Sequence, residues 1–138
     1  MAPDWAFVAL GSNLGERERY LRHGREALAA LPDTELVAAS RIEETAPLGP
    51  PAQGSFLNQM VLLRTGLSAR ALLAACAAIE HDAHRDRTVR WGPRTLDLDI
   101  VRFGDERSDD PALTLPHPQL DRRSFWQREL KELEPHAR

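Results

Sequence analysis

The run Arg90-Trp-Gly-Pro-Arg-Thr-Leu-Asp-Leu-Asp-Ile100 joins two arginines to two carboxylates set one residue apart, a group of side chains suited to a divalent metal and a polyphosphate. Leu96, Leu98 and Ile100 alternate with Thr95, Asp97 and Asp99. Successive side chains of an extended chain point to opposite faces, so the two carboxylates share one face. About 7 Å apart at the backbone, they repel each other and gain nothing apolar, and a hard, oxygen-seeking Mg²⁺ is the natural compensation. An isolated Asp-x-Asp reads more simply as the solvated face of an edge strand. Arg85, Arg87, Arg90 and Arg94 reverse that reading, because guanidinium groups beside paired acids suit phosphates that bring their own metal. Salt bridges between these arginines and the acids are the other use of the same charges. Trp91-Gly92-Pro93 interrupts regular structure and points to a rigid loop that delivers Trp91 and Arg94.

The elements that must position these groups follow from periodicity. Residues 5–10 form a short apolar run stopped by Gly11-Ser-Asn-Leu-Gly15, a buried strand entering a turn. Leu21, Gly24, Leu28 and Leu31 recur at helical spacing between about Glu16 and Leu31, with charges on the other side. Gly24 costs about 1 kcal/mol against alanine in a helix, which close packing on a sheet explains. Strands are expected over 36–45 and 56–65, separated by a Pro/Gly-rich loop at 46–54. Ser68 can cap a second helix in which Leu72, Cys76, Ile79 and Ala83 repeat. Loop residues 84–93 lead into the Asp-containing strand at about 94–103, then a turn at Gly104-Asp105 and an irregular proline-containing segment. The order β-α-β-β-α-β predicts an α+β, ferredoxin-like sandwich with helices on one face of an antiparallel sheet, the other face being left for ligands.

Composition bounds the rest. With 138 residues, the chain holds one core and is expected to be a single domain over 1–138. A formal charge of -3 gives no whole-surface field favouring nucleic acid or an anionic membrane, so any anion must be bound locally. Cys76 is the sole cysteine, which excludes an intramolecular disulfide and a cysteine-based metal cluster. The N-terminus lacks a leader pattern and nothing approaches eighteen consecutive apolar residues, so a cytoplasmic protein, monomeric by default, is expected.

The run at 90–100 also resembles the signature of the 6-hydroxymethyl-7,8-dihydropterin pyrophosphokinase family of folate biosynthesis. Val8-Ala-Leu-Gly-Ser-Asn-Leu-Gly15, Thr45-Ala-Pro-Leu-Gly49 with Phe56-Leu57-Asn58, and Leu113-Thr-Leu-Pro-His117 match further family motifs in family order. The resemblance implies the same sandwich and an ATP-dependent enzyme that passes pyrophosphate to 6-hydroxymethyl-7,8-dihydropterin, with AMP as the second product. It implies two Mg²⁺ held by Asp97 and Asp99, with Arg85 and Arg94 completing the catalytic set. ATP would meet Arg85, Arg87, Arg94, Ile100, Thr114, His117 and Arg123, and the pterin would meet Thr45, Leu48, Phe56, Asn58, Trp91 and Phe125.

The chain departs from the family pattern in three places. Ala46 stands where proline is common, the stretch between Arg87 and Arg90 looks one residue short, and Phe125 is followed by Trp126-Gln-Arg-Glu129 where the family usually has apolar residues and a proline. The C-terminus reads as shortened, which opens the question of how Phe125 is held. Two other functions fit parts of the chain: a non-catalytic pterin- or nucleotide-binding homologue, and an RNA-binding domain of the same architecture. Paired acids on the last strand oppose the RNA reading.

Overall fold

A computed structural model describes residues 3–13, 16–46, 55–85, with backbone only at 84 and 85, and 96–137. Strand β1 (Asp4–Ser12) is followed by helix α1 (Arg17–Ala29), strands β2 (Thr34–Ala39), β3 (Glu43–Thr45) and β4 (Phe56–Thr65), helix α2 (Ala69–Arg85) and strand β5 (Asp97–Phe103). A short hairpin, β6 (Ser108–Asp110) and β7 (Leu113–Leu115), precedes helix α3 (Ser124–Leu133) and a final 3-10 turn, Glu134–His136. The main sheet runs β2-β4-β1-β5, with β3 also on β4, and its pairings are all antiparallel. The expected β-α-β-β-α-β sandwich is therefore present.

One sheet face carries Ala6, Val8, Leu10, Leu57, Val61, Leu63, Leu98 and Ile100, packed with Leu21 and Leu28 of α1 and Leu72, Cys76, Ile79 and Ala83 of α2. Burial there pushes the Cys76 thiol up to about 12, as expected of an inert core residue. Ser68 Oγ accepts the Ala71 N–H at 3.1 Å and caps the start of α2. Gly24 has the packing role its helical position suggested. A Cβ there would lie 2.9 Å from Leu10 Cδ2 and 3.3 Å from Leu96 Cδ2, so only glycine lets α1 approach the sheet so closely.

Two elements differ from expectation. The strand expected over 36–45 is broken in two, because Ser40 turns into the interior: its backbone N–H donates to Met60 O at 2.8 Å and its Oγ accepts the Met60 N–H at 3.0 Å. The segment after Gly104, expected to be irregular, contains a hairpin and α3. This third helix lies on the opposite sheet face, where Trp126, Leu130 and Leu133 pack on Phe7, Ala9, Met60, Leu62 and Val101. That face is thus partly covered, and the part left open is the end that carries Asp97 and Asp99.

Candidate active site

Register places the site. Gly11 on the central strand β1 pairs with Asn58 of β4 on one side and with Asp97 of β5 on the other. One pleat back, Ala9 lies between Met60 and Asp99. Alternation puts Phe56, Asn58, Asp97 and Asp99 on the face that α3 covers only in part, and the two small residues Ala9 and Gly11 leave a trough between them. A bulge between Phe7 and Val8 of β1, opposite Val101, shifts the alternation of β5 by one. It lets Asp97 and Asp99 face the trough and Val101 pack under α3 on the same side, while Phe103 still turns into the main core.

The trough is a cavity of about 260 Å³. Thr45, Ala46, Phe56 and Asn58 line one side, Asp97 and Asp99 the other, and Arg122, Arg123, Phe125 and Trp126 overhang it. Asn58 Nδ2 donates to Thr45 Oγ1 at 2.7 Å, which orients the amide. Phe125 stands half-buried at the start of α3, edge-on to the fully buried Trp126 with ring centroids 6.4 Å apart. The Arg123 guanidinium lies 4.5 Å from the Trp126 centroid. The altered sequence after Phe125 thus supplies a helix whose buried side holds the aromatic wall.

Asp99 also borders a second hollow of about 150 Å³, lined among others by Leu73, Ile100, Thr114, His117 and Pro118. The peptide bond Leu115-Pro116 is cis. His117 Nδ1 accepts the Gln119 N–H at 3.0 Å, so the ring proton of the neutral imidazole sits on Nε2, 3.6 Å from Asp99 Oδ1. Trp126 meets the same imidazole edge-on at 4.9 Å. Thr114 Oγ1 donates to Asp110 O and holds the hairpin closed.

Of the residues singled out from sequence, Thr45, Phe56, Asn58, Asp97, Asp99, Arg123 and Phe125 line the trough, and Asp99, Ile100, Thr114 and His117 line the hollow. Leu48, Arg87, Arg90, Trp91 and Arg94 lie outside the described residues, as does the side chain of Arg85. Sequence reasoning missed Glu80 of α2, whose Oε2 accepts the Leu98 N–H at 2.7 Å and fixes β5 between the two aspartates. Its signal is faint, an acid one residue after a core position, Ile79, at the end of a helix. It also missed Gly11 as the trough floor, and Trp126.

Two carboxylates facing open space, with a hollow on each side of Asp99, fit Mg²⁺, which takes few protein ligands and fills its shell with phosphate oxygens and water. An enzyme that passes a phosphate-based group between two molecules bound side by side would need such an arrangement. The family model described as 7,8-dihydro-6-hydroxymethylpterin-pyrophosphokinase matches residues 7–135, and the chain belongs to that family. It is 44% identical over 132 residues to the 2-amino-4-hydroxy-6-hydroxymethyldihydropteridine pyrophosphokinase of Pseudomonas aeruginosa, covering 96% of this chain and 82% of that one. The enzyme of the same description from Bacillus subtilis is 41% identical over 128 residues, 93% of this chain and 77% of that one. A crystal structure of an HPPK-DHPS in complex with substrates superposes with a TM-score of 0.72 at 12% identity, over 100% of this chain and 41% of that chain, and shares the fold.

Proposed function

We infer that this chain transfers the β,γ-pyrophosphoryl group of ATP to the hydroxymethyl oxygen of 6-hydroxymethyl-7,8-dihydropterin, releasing AMP. The observation that carries this reading is the position of Asp99, which borders both the aromatic-walled trough and the hollow beside His117. A flat heterocycle in the trough and a nucleotide in the hollow would meet at that carboxylate.

The trough suits the pterin. Phe56 and Phe125 line it as stacking partners for a flat ring, and the oriented Asn58 amide can both donate to and accept from a heterocycle edge. Leu48 and Trp91 take the pterin contacts that their sequence positions imply. On the nucleotide side, His117, Ile100 and Thr114 line the same hollow, and the His117 Nε2–H, left over by the bond at Nδ1, would donate to phosphate oxygens there. Arg123 reaches from the α3 side, and Arg85, Arg87 and Arg94 supply guanidinium charge to the phosphates.

Asp97 and Asp99 would hold two Mg²⁺, which would supply positive charge against the phosphates and Lewis acidity toward the hydroxyl. The remaining work of the chain is alignment. The trough fixes the acceptor oxygen, the hollow fixes the donor, and the rate gain comes from bringing oxygen and β-phosphorus into line and neutralising charge as it spreads. No covalent nucleophile is needed. The test is AMP and pterin pyrophosphate formation by the purified chain with ATP, Mg²⁺ and the dihydropterin. Pterin-dependent, chelator-sensitive AMP is the expected result; tight binding of both substrates without product would make the chain a binding protein instead.

A further inference from the structure

Glu129 of α3 is 1% exposed, and neither of its carboxylate oxygens has a hydrogen-bond donor. It faces Glu43 of β3, whose Oε1 is also buried without a donor. Two carboxylates have no hydrogen to share; one added proton turns the same contact into a hydrogen bond and removes one of two buried like charges. Burial, the hydrogen bond that a protonated Glu129 makes to Glu43, and the Glu43 charge together push the Glu129 carboxyl up to about 9.

The placement of this pair gives it a role. Glu43 and Thr45 lie one pleat apart on the same face of β3, and Thr45 Oγ1 orients Asn58. Glu129 lies one helical turn after Phe125, on the same side of α3. The pair therefore lies between the strand that carries Thr45 and the helix that carries Phe125, on opposite sides of the trough. The other charges around it hold the helix from outside. Arg128 Nε donates to Glu43 Oε2 at 3.0 Å, Glu132 of α3 meets the Arg41 side chain at 3.5 Å, and β4 presents the uncharged Phe56, Asn58 and Met60 on that face near this row.

We propose that a proton held between Glu129 and Glu43 seats α3 on β3, making these two acids positioning residues for the wall of the pterin trough. The proposal rests on the pterin reading of that trough. Loss of the proton leaves two buried negative charges in contact, and the helix carrying Phe125 and Trp126 lifts from β3.

Two measurements on the full chain test this. Tryptophan fluorescence, followed without substrate from about pH 7 to pH 10, is expected to show a transition near 9 that Glu129→Gln abolishes, since an amide donates without ever ionising. The KM for the pterin should be about fourfold higher at about pH 9.5 than at about pH 7.5 in the wild type, as the seated fraction falls, and flat in Glu129→Gln once the titration common to both is removed. A fluorescence transition that persists in Glu129→Gln, or parallel KM profiles in the two proteins, would overturn the proposal. If Glu129→Gln does not fold, Glu43→Gln reads the same contact: the transition moves to lower pH, and an unmoved transition is the contrary result. A wild type that forms no AMP at any pH would fail the proposed function, while the fluorescence titration would still decide the seating.

Discussion

Asp97 and Asp99 owe their place to simple alternation, and neither supports the core: both are partly exposed beside Leu98 and Ile100, which do. Asp97→Ala or Asp99→Ala should lower turnover by at least about 10³-fold and change unfolding free energy by no more than about 0.5 kcal/mol. Steady-state assays and denaturant titration on the same preparations check both halves. Gly11 makes the opposite kind of prediction. A Cβ there would be in ordinary contact, 3.5 Å from Asn58 Oδ1, so the backbone tolerates a side chain that the trough does not. Gly11→Val should fold and raise the KM for the pterin about tenfold or more, with a much smaller change for ATP. The shared face of the two aspartates and of Phe56 and Asn58 could be read from the sequence because motif and strand alternation coincide there, whereas His117 stood on its motif alone. Gly11 was not, because a glycine's use as a floor depends on which strands flank it, and register is a long-range property.

At the scale of elements, α1, α2, β1 and β4 could be read directly, since each repeats its apolar residues on one side with the period of its structure. The break between β2 and β3 could not, because Ser40 earns its buried place through hydrogen bonds to Met60 and Gln59 on a strand nineteen or more residues away. Helix α3 was missed for a related reason. Its buried side includes Glu129 along with Trp126, Leu130 and Leu133, and a buried acid disguises an amphipathic pattern. The packing of α1 offers a direct check. In Gly24→Ala the new methyl meets Leu10 and Leu96, both fully buried, so they have little room to give. Overpacking of about 1–3 kcal/mol exceeds the gain of about 1 kcal/mol in helix propensity, and urea unfolding should show a net loss of stability with activity per folded molecule unchanged.

For the molecule as a whole, among the described residues, the five-stranded sheet packs on α1 and α2 with one face and in part on α3 with the other, which leaves the trough open at one end. Among the described residues no helix is long and apolar enough to cross a membrane. The buried acid has a global consequence. The Glu129 carboxyl is raised from 4.5 to about 9, so between those values the folded chain keeps a proton that the unfolded chain has lost. Its contribution is therefore largest below about 4.5 and is lost as pH rises through about 9, with a slope of at most about 1.4 kcal/mol per pH unit. Thermal unfolding of wild type and Glu129→Gln across this range should diverge, the variant losing less stability as pH rises. Parallel curves would show that Glu129 does not hold its proton.

In the proposed reaction Asp97 and Asp99 hold the metal at the meeting point of trough and hollow. Crystals grown with Mn²⁺, a non-hydrolysable ATP analogue and the dihydropterin would test it through anomalous scattering. Two Mn²⁺ peaks coordinated by Asp97 and Asp99 are expected, with the pterin hydroxymethyl oxygen on one side and the nucleotide phosphates on the other. Metal bound elsewhere, or a nucleotide whose phosphates lie away from Asp99, would contradict it.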